Sequence, residues 1–83
     1  MELTSKRRQN PRWMTGDYRQ RVGQRIRMAR ERKGWTQTEL AREVGVADAQ
    51  ISRWETGRTM PRHEALEALA KALGTTAERF FYD

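Results

Sequence analysis

Cysteine is absent from the 83-residue sequence, so neither a disulfide nor a thiolate metal centre can brace the fold. A reducing cytoplasm is the expected setting. Histidine occurs once, at His63, and without cysteine companions it makes no metal site, so no metal or other cofactor is expected. Long apolar runs are also missing. Nothing approaches the length that crosses a bilayer, and Met1-Glu2-Leu3-Thr4 opens nothing like a secretory leader, which predicts a soluble protein with no membrane contact. Strand-like alternation of apolar and polar residues and internal repeats are likewise wanting, so the fold class should be all-α. No nucleophile sits beside a base, no glycine pattern matches a P-loop, and Glu39/Glu43 and Glu64/Glu67 have ordinary helix-surface spacing. Enzymatic activity is not expected.

What the chain does have is arginine. Lys and Arg number 17 against 11 Asp and Glu, for a net charge of +6, and the Arg residues far outnumber the Lys. A polyanion is the natural partner for that balance, since the planar guanidinium suits both phosphate and guanine. The charge is also uneven. Residues 1–33 carry eleven basic and three acidic side chains, whereas residues 34–83 carry six and eight, so the whole excess lies in the N-terminal part.

At this length one domain is expected, with a core built from about 60 residues once a tail is set aside. Residues 1–16 contain Pro11 and Gly16, lack helical periodicity and read as a flexible basic arm carrying Lys6, Arg7, Arg8 and Arg12. Trp13 in that arm could cover the domain, stack in a dimer contact or stay loose. The domain proper should run over 17–83. Asp17 is a candidate cap for a first helix whose apolar stripe is Tyr18, Val22, Ile26 and Ala29.

The next segment carries the most information. Thr36 precedes Glu39 by three residues, the reciprocal capping pattern, which starts a helix at about Gln37; Leu40, Ala41 and Val44 share its inner face and Gly45 stops it. After that turn, Ile51 and Trp54 face inward, Asp48, Ala49, Gln50, Ser52 and Arg53 point elsewhere, and Gly57 ends the helix. Two short helices over about 37–56 with a glycine turn between them make a helix-turn-helix. Beyond it, Pro61 marks a loop. A fourth helix to about Leu73 is apolar around most of its circumference, as for a helix at the centre of a bundle. Gly74 ends that helix, and Thr75 with Glu78 suggest a short fifth helix carrying Phe80, Phe81 and Tyr82. Trp35, Trp54 and Phe80 are expected in the core.

The segment resembles the helix-turn-helix of Cro/C1-type repressors, the XRE family. The resemblance rests on Arg30, Gly34, Thr36-Gln37, Glu39-Leu40-Ala41, Val44-Gly45-Val46, Ile51-Ser52, Trp54-Glu55 and Gly57. It continues through Pro61, Leu66, Leu69-Ala70 and Leu73-Gly74 to Phe80. It implies a five-helix lambda-repressor-like bundle and a sequence-specific double-stranded DNA-binding regulator, expected to be a repressor, with helix 48–56 in the major groove. A homodimer on a palindromic operator is expected, because one recognition helix buries little surface. The alternative is an antitoxin or transcriptional bridging module whose main partner is a protein.

The resemblance also implies roles. Arg53 matches a base-reading position, suited to guanine N7 and O6. Thr36 and Gln37 begin a helix whose N-terminus docks on phosphate in the family, and Arg30 and Glu55 match an ion pair behind the recognition helix. Gln50 and Ser52 reach either a base or a phosphate; Gln50 is grouped with Asp48, Ala49 and Arg53 as base readers, and Ser52 with Arg58 and Arg62 as phosphate contacts. One departure stands out. Ala47 takes the place of a hydroxyl cap, so Asp48 either caps the helix one residue late or presents a carboxylate to the DNA, where it repels phosphate and accepts from cytosine N4.

Overall fold

A computed structural model describes residues 16–81, and within them the chain is all-helical. The arm residues Lys6, Arg7, Arg8, Arg12 and Trp13 lie outside the described residues, as does Tyr82. Four α-helices follow one another: α1 (Gly16–Arg32), α2 (Gln37–Val44), α3 (Asp48–Glu55) and α4 (His63–Leu73). A 3₁₀ turn, Ala77–Phe80, completes the domain.

The last element corrects the expectation of a fifth α-helix. Its N-cap is Thr76 rather than Thr75, no side chain caps it, and Arg79 and Phe81 donate to carbonyls three residues back. The physical reason is length. Only one turn separates the α4 stop from Phe80, which must enter the core, and so short a segment takes the tighter i→i+3 geometry. The start of α1 differs as well, since the helix begins at Gly16 and takes Asp17 into its first turn instead of leaving it as a cap.

The core is one cluster to which every element contributes: Val22 and Ile26, Leu40 and Ala41, Ile51 and Trp54, then Leu66, Leu69, Ala70 and Leu73, and Phe80. Burial of each large side chain in such a cluster contributes about 1.5–3 kcal/mol. Trp35 differs from the expectation. It is only half-buried at the edge, with the Lys33 ammonium 4.8 Å from its ring centroid. Likewise α4 is not apolar all round, because Glu64, Glu67 and Lys71 stay exposed and only one face is fully buried.

Two glycines set the distance between α1 and α3. Gly57 ends α3 at φ +80° in a Schellman turn, with Arg58 N–H donating to the Arg53 carbonyl and Gly57 N–H to that of Trp54. Gly23 lies in mid-helix, where a β-carbon would stand 2.3 Å from the Trp54 carbonyl oxygen and 2.6 Å from that of Glu55. Both obstacles are backbone, so neither can step aside as a side chain would. Gly23 therefore lets α1 press directly on the end of α3. Gly23→Ala is expected to destabilise by about 1–3 kcal/mol through overpacking, even though alanine is worth roughly 1 kcal/mol in a helix interior. Urea unfolding reads this as a lower midpoint at constant slope, and a raised midpoint would contradict so close a crossing.

Candidate nucleic-acid interface

The N-terminus of α2 is closed by a reciprocal capping box. Glu39 N–H donates to Thr36 Oγ1 at 3.1 Å, and Thr36 N–H donates to Glu39 Oε1 at 2.8 Å. The Thr36 hydroxyl accepts here, so its own proton is still available to an anion. Backbone N–H groups of the first turn and the helix dipole add to that pull.

The turn to α3 depends on Gly45, held at φ +77° with its N–H on the Ala41 carbonyl. A β-carbon is strained in that conformation, which is why glycine serves there. The second helix of the pair, α3, then starts from Ala47 without any side-chain cap. Asp48 does not take over as the cap; it is the first helical residue, and its carboxylate accepts from Thr38 Oγ1 of α2 at 2.5 Å. The acid thus sits at the positive end of the α3 dipole and ties the two helices together across the turn. Thr38 carried no sequence signal for this, since its partner lies ten residues away.

Behind α3 runs a buried polar network. Arg30 Nε donates to Glu55 Oε2 at 2.6 Å and Arg30 Nη2 to Glu55 Oε1 at 3.1 Å, a bidentate pair whose side chains are 10 % and 2 % exposed. The third edge of the guanidinium is used too: Nη1 donates to the Trp35 carbonyl at 2.7 Å. Gln37 Nε2 donates to Glu55 Oε1 at 2.9 Å, so the side chain expected at a phosphate is turned inward with one of its two amide N–H groups. The hydrogen bond that Arg30 donates to the Glu55 carboxylate outweighs burial, and with the charges of Glu55 and Glu31 it raises the Arg30 pKa above its ordinary value. Arg30 is therefore charged at neutral pH. Sequence pattern did not reach the Trp35 carbonyl or the Gln37 contact.

On the opposite side of α3, Asp48, Ala49 and Arg53 are exposed and Gln50 and Ser52 half-buried, while Ile51, Trp54 and Glu55 form the buried back. Arg53 Nη1 approaches Gln50 Oε1 at 3.5 Å, a contact at the limit of hydrogen bonding. Arg58 and Arg62, both exposed, lie in the loop that follows. The α2 N-terminus, the exposed positions of α3 and the cations Arg58 and Arg62 of the following loop are thus the candidate contacts for a polyanion.

That arrangement is a helix-turn-helix, and a helix-turn-helix family model matches residues 26–80. The chain belongs to this family, the Cro/C1-type DNA-binding regulators, which are not enzymes. It is similar to repressor protein C2 of Salmonella phage P22, 44 % identical over 54 residues that make 65 % of this chain and 25 % of the repressor. Similarity to multiprotein-bridging factor 1 of Schizosaccharomyces pombe is 32 % identity over 53 residues, 64 % of this chain and 36 % of that protein. Among solved structures, SinR, a master regulator for biofilm formation crystallised in complex with DNA, superposes with a TM-score of 0.70 at 31 % identity, covering 74 % of this chain and 98 % of that one. The chain therefore spans a quarter of the phage repressor and about a third of the bridging factor. No helix among the described residues is long and apolar enough to cross a membrane.

Glu55→Ala strands the Arg30 guanidinium in a buried site and is expected to cost about 3–5 kcal/mol. The double replacement Arg30→Met with Glu55→Leu is expected to cost much less than the two single changes added together. Chemical denaturation of the three variants tests the coupling, and simple additivity would refute it.

Proposed function

We propose that the protein is a sequence-specific double-stranded DNA-binding repressor that acts as a homodimer in the cytoplasm. The observation that carries this reading is the division of α3: a back locked by Ile51, Trp54 and Glu55, and a front on which, among the described residues, Asp48, Ala49 and Arg53 are exposed and Gln50 and Ser52 half-buried. With α3 in the major groove, Arg53 donates its guanidinium fork to guanine, and Asp48, Ala49 and Gln50 meet neighbouring base edges. Asp48 keeps one carboxylate oxygen for a cytosine amine while the other holds Thr38.

Phosphates are held by Thr36 and Gln37 at the α2 N-terminus, by Ser52, and by Arg58 and Arg62 in the following loop. The basic arm, with Lys6, Arg7, Arg8 and Arg12, adds affinity along the backbone without much sequence preference. A single helix reads only a few base pairs, so a two-fold dimer on a palindromic operator supplies the specificity a repressor needs. The similarity to the repressor protein C2 of phage P22 supports the repressor reading.

A second reading, supported by the similarity to the bridging factor, is an antitoxin or bridging module whose main partner is a protein. In that case the isolated chain fails to shift duplex DNA at moderate salt.

Selection of bound sites from a random duplex library is expected to return inverted repeats with half-site centres about 34–36 Å apart. Sedimentation showing one chain per site at saturating DNA would refute the dimer. Arg53→Ala is expected to weaken binding to the selected site by about 1–3 kcal/mol and to relax preference at one base pair per half-site. An equal loss on random DNA would make Arg53 a phosphate contact only.

A further inference from the structure

The face of α1 turned away from α3 carries a second charged feature that DNA reading by α3 does not use. Gly23 and Arg30, two turns apart, face α3; Arg21, Arg25, Met28 and Arg32 recur at intervals of three and four residues on the opposite side. There α1 and the segment after α4 enclose an open groove of about 940 Å³. Its rim holds Arg21, Arg25, Arg32, Lys33 and Arg79, and among the described residues no Asp or Glu lines it. Its floor is apolar. Leu73 and Phe80 are buried beneath it, and Met28, 54 % exposed, is the exposed large hydrophobic side chain of the described residues.

We infer that this groove is a docking site for an acidic, amphipathic helical segment of a partner protein. Arg21, Arg32, Lys33 and Arg79, with no acid among the described lining residues, create a field that selects carboxylates, and the flexible Met28 thioether, lining the same groove as Leu73 and Phe80, suits a Leu- or Phe-bearing ridge. A phosphate backbone matches the rim but has nothing for the floor. The groove also lies on the opposite side of α1 from α3, so a duplex seated on α3 leaves it accessible. The chain's own arm is a poor occupant, because residues 1–15 hold four basic side chains and one acid and are repelled by the rim. Docking here is independent of the proposed operator binding. A partner held in this groove stands on the outside of a DNA-bound protein.

The test uses the full chain and a fluorescein-labelled peptide of about four helical turns, with Leu at i, i+3, i+4 and i+7 and Glu at most other positions. A scrambled peptide of the same composition and a random-sequence duplex serve as competitors. Saturable anisotropy with the patterned peptide is expected, with about tenfold weaker binding of the scramble. Met28→Glu and the pair Arg21→Glu with Arg79→Glu are each expected to weaken the patterned peptide at least about tenfold, since each places carboxylates against the glutamates of the peptide. All three positions are exposed, and an unchanged melting temperature verifies that the variants fold. Equal binding of the scramble would reduce the groove to a nonspecific anion surface and overturn the proposal. Displacement of the peptide by the duplex at equal concentration would make the groove a nucleic-acid surface and overturn it as well, as would the absence of saturable binding. None of these outcomes depends on operator recognition, which the peptide titration never measures.

Discussion

The bidentate pair between Arg30 and Glu55 is the constraint on which the arrangement of the three N-terminal helices depends. A guanidinium is planar and its donors lie in a fixed fork, so occupying all three of its edges fixes its position and its orientation. Glu55 is the last residue of α3, Trp35 leads into α2, and Arg30 belongs to α1. One side chain therefore sets where α3 ends relative to the start of α2. Burial makes the arrangement all-or-none, because a charge 2 % exposed cannot exchange its partner for water at low cost.

Gly23 acts in the same region by subtraction. Hydrogen bonds place the ends of the helices, but the separation of their axes depends on what stands between them, and here nothing stands between the α1 backbone and the carbonyls of Trp54 and Glu55. The close crossing puts α1 near enough for the Arg30 side chain to lie along α3 and grip its last residue. Packing and polar pairing thus reinforce one geometry.

Much of the helix-turn-helix was legible in the sequence because its signals are local. A threonine three residues before a glutamate, a glycine just past the last apolar position, and inward-facing Ile51 and Trp54 each act within one or two turns of chain. Long-range features were not legible from pattern. The Arg30–Glu55 pair spans 25 residues and came through family resemblance rather than periodicity. The Thr38–Asp48 bond and the crossing at Gly23 left no trace in spacing, since Gly23 in a helix reads as a mere propensity defect until the neighbouring backbone is seen. At the C-terminus the capping signal at Thr75 and Glu78 misled, because the demand that Phe80 reach the core outweighed a local preference for a full α-turn. Among the candidate contacts, Asp48 and Gln37 are engaged within the protein, whereas Ala49 and Arg53 present their exposed side chains outward.

That division within α3 bears on how such a domain can change over evolutionary time. Ile51, Trp54 and Glu55 tie the helix to the body of the protein, whereas Ala49 and Arg53 contribute no buried packing. Replacements at exposed helix positions usually shift stability by no more than about 0.5 kcal/mol, so those two letters of the sequence can be rewritten without a compensating change elsewhere. Asp48 is the exception, since altering it also releases Thr38. New preferences should therefore arise more readily from the middle of the helix than from its first residue, and the scaffold can diversify while its architecture stays put.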